Sequence, residues 1–241
     1  MKNSEIFLDE YNKIDKFLNQ DSRYVSFAEK VRASKNNIVR NYRDELLTFA
    51  ELRNAIVHSP RIQPKSTKDS DDAVIAEPHG EVVANIRKIY RLLTDPPKVF
   101  PRFKCDVLGA KRDEFINGIL VSMKKHSFSQ FPVFSDDGLV EELITTNTIS
   151  RWLSSNIDPR GEVIVEGVTV DDLIPEIEHK KNYKFISRHS SIFDVHQLFA
   201  NHPESRGNNL DAIFVTESGR AEEKVLGVLT IEDVSTTILR E

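Results

Sequence analysis

The sequence predicts an α+β protein in which an N-terminal helical bundle precedes two β-α-β-β-α units. Apolar residues recur at spacings of three and four through the first 95 residues, the pattern of amphipathic helices. Beyond residue 98, short β-branched runs alternate with helical stretches. Near the C-terminus, Gly227-Val-Leu-Thr-Ile-Glu-Asp-Val234 has an upstream counterpart in Glu142-Leu-Ile-Thr-Thr-Asn-Thr-Ile149, each a strand running through a threonine into a helix. Such a recurrence means paired structural units.

A chain of 241 residues holds one large domain or two small ones. Its formal net charge of -5 at pH 7 removes a whole-molecule electrostatic case for nucleic-acid binding, although a local basic patch stays open. No stretch has the run of apolar residues that a membrane span needs, and Met1-Lys-Asn-Ser-Glu-Ile6 has no signal-peptide pattern. The expectation is a cytoplasmic protein with no membrane partner. Cys105, the single cysteine, excludes an intramolecular disulfide and a cysteine zinc cluster, and reads as a small core residue. The seven histidines are scattered without metal-ligand spacing, so no metal is expected. Trp152 reads as a core or dimer contact.

The helical region spans 1–95. Ile6, Phe7, Tyr11, Ile14, Phe17 and Leu18 describe one amphipathic helix, and residues 24–33 a second. A longer one starts near Asn36, carries Ile38, Leu46, Leu47, Phe49, Leu52, Ile56 and Val57, and ends at Ser59-Pro60. Residues 81–93 form a fourth, closed by Asp95-Pro96-Pro97, and four helices make a small bundle. Between the last two, residues 60–80 have loop composition, with Ala73-Val-Ile-Ala76 as an apolar anchor.

In the third helix Arg53 is flanked at three and four residues by Phe49, Ala50, Ile56 and Val57, which points its side chain into the apolar stripe. A guanidinium there requires a partner, because desolvating an unpaired charge costs several kcal/mol. One reading is a buried ion pair holding the bundle or a dimer together, with Asn54 and His58 finishing the helix. The other comes from resemblance: Arg53-Asn54-x-x-x-His58 late in a helix is similar to the R-N-x-x-x-H motif of HEPN-type helical domains. The resemblance implies, for nuclease members, metal-independent RNA cleavage with Arg53, Asn54 and His58 as the catalytic set, assembled across a dimer.

From residue 98 the first repeat (98–156) reads as a strand at 105–108, a helix at 113–126, a strand at 131–134, a turn, a strand at 140–145 and a helix at 147–154. A connector (157–182) contains Val170-Asp-Asp-Leu-Ile-Pro175. The second repeat (183–241) then gives a strand at 183–186, a helix at 191–200, strands at 210–216 and 224–230, and a helix at 231–239.

This order, together with Val170-Asp-Asp-Leu-Ile-Pro175, Phe131-Pro132-Val133 before an acidic-glycine hairpin, and Gly227-x-x-Thr230-x-x-Asp233, resembles a tandem pair of cystathionine-β-synthase (CBS) domains over residues 98–241. The resemblance implies an adenosine-containing ligand, AMP, ADP, ATP or S-adenosylmethionine, held in a cleft between the repeats. It places Thr230 on phosphate or ribose, Asp233 on ribose hydroxyls, the strand edge at Asp211, Ala212 and Ile213 on adenine, and Tyr183, Lys184 and Phe185 along the same cleft. The chemistry is consistent, since a carboxylate suits vicinal hydroxyls and helix-terminal amides suit a phosphate. The first repeat departs from the pattern, with Glu142 at the glycine position and Thr148 at the aspartate position. Its cleft, at Thr145, Thr148, Phe131, Pro132 and Val133, is therefore expected to be a weaker pseudo-site.

The sequence thus supports a regulatory homodimer whose CBS pair senses an adenine nucleotide and controls the helical domain. The alternative is a ribonuclease of the HEPN type, with RNA as substrate, gated by the same pair.

Overall fold

A computed structural model describes residues 2–19, 25–58, 76–200 and 210–238. The chain divides into two compact units, Met1–Pro97 and Lys98–Glu241.

The first unit is helical: α1 (Asn3–Leu18), α2 (Phe27–Ala33), α3 (Asn37–Asn41), α4 (Arg43–His58) and α5 (Gly80–Thr94). Among the described residues five helices stand where the periodicity predicts four, because the expected helix beginning near Asn36 breaks at Tyr42, whose φ of -106° and ψ of 26° leave the helical region. Asn36 caps α3, its Oδ1 accepting the Ile38 and Val39 amides at 2.9 and 3.2 Å. The break lets Ile38 and Val39 be buried on one short helix and Leu46 and Phe49 on the next. Phe7 of α1 meets Phe49 edge-on at 5.7 Å, and Tyr11 lies 4.3 Å from Phe27. Val83, Ile86 and Ile89 of α5 complete the core. Burial pushes the Tyr11 phenol up to about 12, with Asp15 adding to the rise. The expected anchor at Ala73-Val-Ile-Ala76 falls mostly outside the described residues.

The second unit contains α6 (Ile116–His126), β1 (Gln130–Phe134), β2 (Val140–Thr145), α7 (Thr146–Asn156), a 3-10 helix at Val170–Glu176, β3 (Tyr183–Ser187), α8 (Ile192–Ala200), β4 (Ala212–Thr216), β5 (Gly227–Leu229) and α9 (Ile231–Ile238). β1 and β2 pair antiparallel. In the second sheet β3 lies parallel to β4 across the α8 crossover, and β5 pairs antiparallel with β4. The expected opening strand at 105–108 does not form; just beyond it Ala110 bridges Val133 of the first sheet. Pro132 of β1 offers no amide to a parallel neighbour, and the Phe134 ring sits where a side chain at Gly109 would go. The expected strand at 224–230 shortens to three residues for a related reason: before Gly227 its carbonyls turn elsewhere, with Leu226 accepting the Cys105 amide at 3.3 Å.

Each sheet buries its own cluster. Ile116, Ile119, Met123, Phe131, Val133, Ile144 and Trp152 pack in the first, so Trp152 is a core residue. Ile192, Val195, Ile213, Val215, Leu229 and Val234 pack in the second. A third cluster joins Val140 and Leu143 of β2 to Ala212 and Phe214 of β4, with Tyr183 and Phe185 against it. Tyr183, Phe185 and Phe214 stand 5.6 to 5.8 Å apart, and the Tyr183 hydroxyl donates to the Glu141 carbonyl at 2.8 Å. Arg112 fastens the 3-10 helix, reaching Asp171 at 2.9 Å and Glu141 at 2.8 Å. Among the described residues no helix is long and apolar enough to cross a membrane.

Candidate functional site

β5 stops at Leu229 and α9 starts at Ile231, so Thr230 sits at the strand-to-helix turn. Asp233, one turn into the helix, accepts the Thr230 amide at 2.8 Å and its hydroxyl at 2.9 Å, both on Oδ2. The carboxylate fixes the turn and leaves Oδ1 as a further acceptor. In the first repeat Thr148 takes the same place: its hydroxyl accepts the Thr145 amide at 3.3 Å, and Thr145 Oγ1 accepts the Thr148 amide at 3.2 Å. Thr148 is buried, so this turn is closed by two hydroxyls where the other is closed by a charge.

A cavity of about 560 Å³ opens at Thr230 and Asp233. Its other walls are residues 105–108, Ser129, Gln130, Pro132, Leu210, Asp211 and Ala212. Cys105, expected in the core, is exposed and lines this space. A smaller cavity of about 250 Å³ opens at Thr145 and Thr148, walled by Glu178, His179 and Asn182. Ser129, Gln130 and Asp211 line both. The segment leading into the first repeat thus walls the cavity of the second repeat's threonine, and the segment leading into the second repeat walls the cavity of the first.

This exchange places several of the expected residues. Asp211 and Ala212 line the Thr230 cavity, whereas Ile213 is fully buried beneath it. Tyr183, Lys184 and Phe185 do not line it: Tyr183 and Phe185 face the cluster between the sheets, and Lys184, between them on the strand, is exposed. Pro132 belongs to the Thr230 cavity instead of the pseudo-site, and Phe131 and Val133 are core. The residues that sequence reasoning missed are 105–108 and Asn182. Reading the second lead-in against the first turn, as a two-fold arrangement of repeats requires, would have found both.

The lining has a pronounced charge. Asp106, Asp211, Glu232 and Asp233 face the larger cavity, and its described lining residues include no lysine or arginine. His126, stacked on Phe128 at 5.3 Å, is the one basic group among the described lining residues. Burial raises the Asp211 carboxyl above the usual range, opposed by the hydrogen bond from Asn182 and by His179. Asn182 is 5% exposed; its Nδ2 donates a short bond to Asp211 Oδ2, its carbonyl accepts the Asp211 amide at 2.7 Å, and its Oδ1 has no partner.

In the helical unit, the expectation that Arg53 is buried in the apolar stripe is corrected. Arg53 is half-buried at the end of α4, where Val57 is 46% exposed and so does not enclose it. Its Nη1 donates to Asn54 Oδ1 at 3.2 Å and contacts His58 Nε2 at 3.0 Å. Because a guanidinium only donates, His58 Nε2 must accept, which puts any ring proton on Nδ1. The three motif residues are therefore together at the C-terminal end of α4.

A family model described as CBS domain matches residues 168–240. In this part the chain is similar to CBS domains. The matched stretch takes in the 3-10 helix, β3, α8, β4, β5 and α9, and with them Asn182, Asp211, Thr230 and Asp233. Among solved structures the chain is similar to the CBS domain pair of protein MJ0100 in complex with 5'-methylthioadenosine and S-adenosyl-L-methionine (16% identity, 60% of this chain and 98% of that one, TM-score 0.44). It is similar also to CBSX2 in complex with AMP (16% identity, 60% and 97%, TM-score 0.41). A third is a CBS domain-containing protein from Kribbella flavida (13% identity, 57% and 96%, TM-score 0.44). No curated protein matches the chain.

Gly227 has no room for a side chain. A side chain there would strike the Phe103 carbonyl, which is backbone and cannot swing aside. Gly227→Ala is expected to cost the second unit about 1–3 kcal/mol, read as a lower thermal midpoint, because backbone must move to relieve the overlap. An unchanged midpoint would mean that residues 103–104 do not lie on β5.

Proposed function

We propose that residues 98–241 form a regulatory module that binds an adenosine-containing ligand, AMP, ADP, ATP or S-adenosylmethionine, and passes its occupancy to the helical unit in a homodimer. The observation that carries this reading is the 560 Å³ cavity meeting Thr230 and Asp233 inside the stretch similar to CBS domains. Its volume suits a nucleoside. Asp233 Oδ1 suits the ribose hydroxyls, the apolar surfaces of Pro132, Leu210, Ala212 and Val228 suit a purine face, and the extended backbone at 105–108 offers amides and carbonyls to the base edge. The smaller cavity at Thr145, with no carboxylate at the Thr148 position, is the weaker of the two. A ligand that prefers one arrangement of the repeats shifts the helical unit by that difference in affinity.

Isothermal titration of the full chain with the four compounds tests the site. At least one binds, and Asp233→Ala weakens it by about tenfold or more, equivalent to about 1.4 kcal/mol. Silence from all four, or equal binding by a folded Asp233→Ala variant, contradicts the proposal.

A second reading is favoured by the closeness of Arg53 and His58: a metal-independent ribonuclease in which Arg53 turns to the phosphate and stabilises its charge, freeing the His58 Nε2 lone pair to take a proton from a ribose hydroxyl, two chains combining their α4 ends. On this reading the full chain cleaves single-stranded RNA in the presence of a chelator, and the Arg53→Ala/His58→Ala double variant does not. Cleavage that survives the double substitution, or none by the parent chain, removes the reading.

A further inference from the structure

We infer that the smaller cavity, at Thr145, is a separate site for a small primary ammonium and takes no nucleoside. The inference goes beyond the adenosine reading, which concerns the cavity at Thr230.

Size comes first. At about 250 Å³ the space is less than half the one at Thr230, and it falls below the range of about 300–1,000 Å³ usual for drug-sized ligands. A molecule of a few heavy atoms suits it. The walls are polar, with Ile177 the one apolar residue among the described lining.

The donors in that lining are turned onto the protein itself. Asn147 Nδ2 donates to Glu178 Oε2, Asn182 Nδ2 to Asp211 Oδ2, and the Ser129 hydroxyl to Gln130 Oε1 at 2.8 Å. Acceptors are left over. Asn182 lines the cavity, is 5% exposed, and its Oδ1 has no partner. Turning the amide over would set that oxygen against the Asp211 carboxylate, so it stays orphaned. A buried acceptor without a donor is costly, and a ligand that brings N–H groups relieves it.

Charge decides between a neutral donor and a cation. Glu178 and Asp211 face the space, no lysine or arginine does among the described lining residues, and His179 is the one basic group there. Arg151 approaches Glu178 at 3.8 Å from outside that lining. An ammonium carries three donors and a positive charge, one N–H for Asn182 Oδ1 and the others for the carboxylates. A phosphate or other anion would bring acceptors to acceptors. A cation beside Asp211 also offsets the burial that holds its carboxyl up.

Ligand-detected NMR titration of the full chain tests this with three small probes. Ethanolammonium has charge and N–H donors, choline has the charge and hydroxyl without N–H, and ethylene glycol has neither charge nor N–H. Ethanolammonium is expected to bind about tenfold or more tightly than choline, and ethylene glycol not at all. Asn182→Leu shrinks the gap between the two cations, and Glu178→Gln, a conservative change at an exposed residue, weakens both alike. No binding of ethanolammonium, equal binding of choline, or a gap that ignores Asn182→Leu in a folded variant overturns the inference. So does saturation at two molecules of AMP or S-adenosylmethionine per chain, which would make this cavity a second nucleoside site and leave the adenosine reading intact. A chain that binds ethanolammonium and no adenosine compound keeps this site and loses that reading.

Discussion

Residues 103–104 run across Gly227, backbone against backbone, and everything distinctive about the second unit follows from that approach. Any side chain at 227 would meet the Phe103 carbonyl. With none, the Cys105 amide reaches the Leu226 carbonyl, while the Leu226 amide goes to Val215 at 2.7 Å. The segment entering the first repeat is thereby tied to the sheet of the second. That tie makes residues 105–108 a wall of the cavity at Thr230, and the counterpart segment with Asn182 a wall of the cavity at Thr145. A third apolar cluster, spanning β2 and β4, keeps the two sheets together behind these openings.

The two strand-to-helix turns then diverge by one side chain. Thr145 and Thr148 satisfy each other with neutral hydroxyls, and the smaller cavity inherits its polarity from Glu178, His179 and Asn182. Thr230 is satisfied by Asp233, which brings a charge to the larger cavity while using one oxygen on the backbone. A group that caps its own helix and faces a cavity has two roles that one sequence position cannot reveal. Asp233 thereby joins Asp106, Asp211 and Glu232 in the lining of the larger cavity.

Most of the helices and strands were legible, though not the split of the third helix or the absent strand at 105–108, because apolar spacing separates stretches that wind from those that extend. The run from Val140 to Thr145 and the helix ending at His126 lie where periodicity puts them. Two things stayed hidden. The kink at Tyr42 leaves the apolar spacing intact on both sides, so no pattern marks it. The exchange of lead-in segments is a tertiary fact: Tyr183 and Phe185 look like cleft residues by proximity in sequence, and only the packing of Phe214 and Leu143 against them turns them inward. Arg53 misled for a third reason, since Val57, one of its apolar neighbours on α4, sits at the helix end and stays exposed.

The most direct test of this architecture is a crystal structure of the full chain grown with S-adenosylmethionine. The nucleoside should lie between residues 105–108 and Thr230, its ribose on Asp233. Density for the ligand on another surface, or the space at Thr230 filled by side chains with the compound present in excess, would contradict the account.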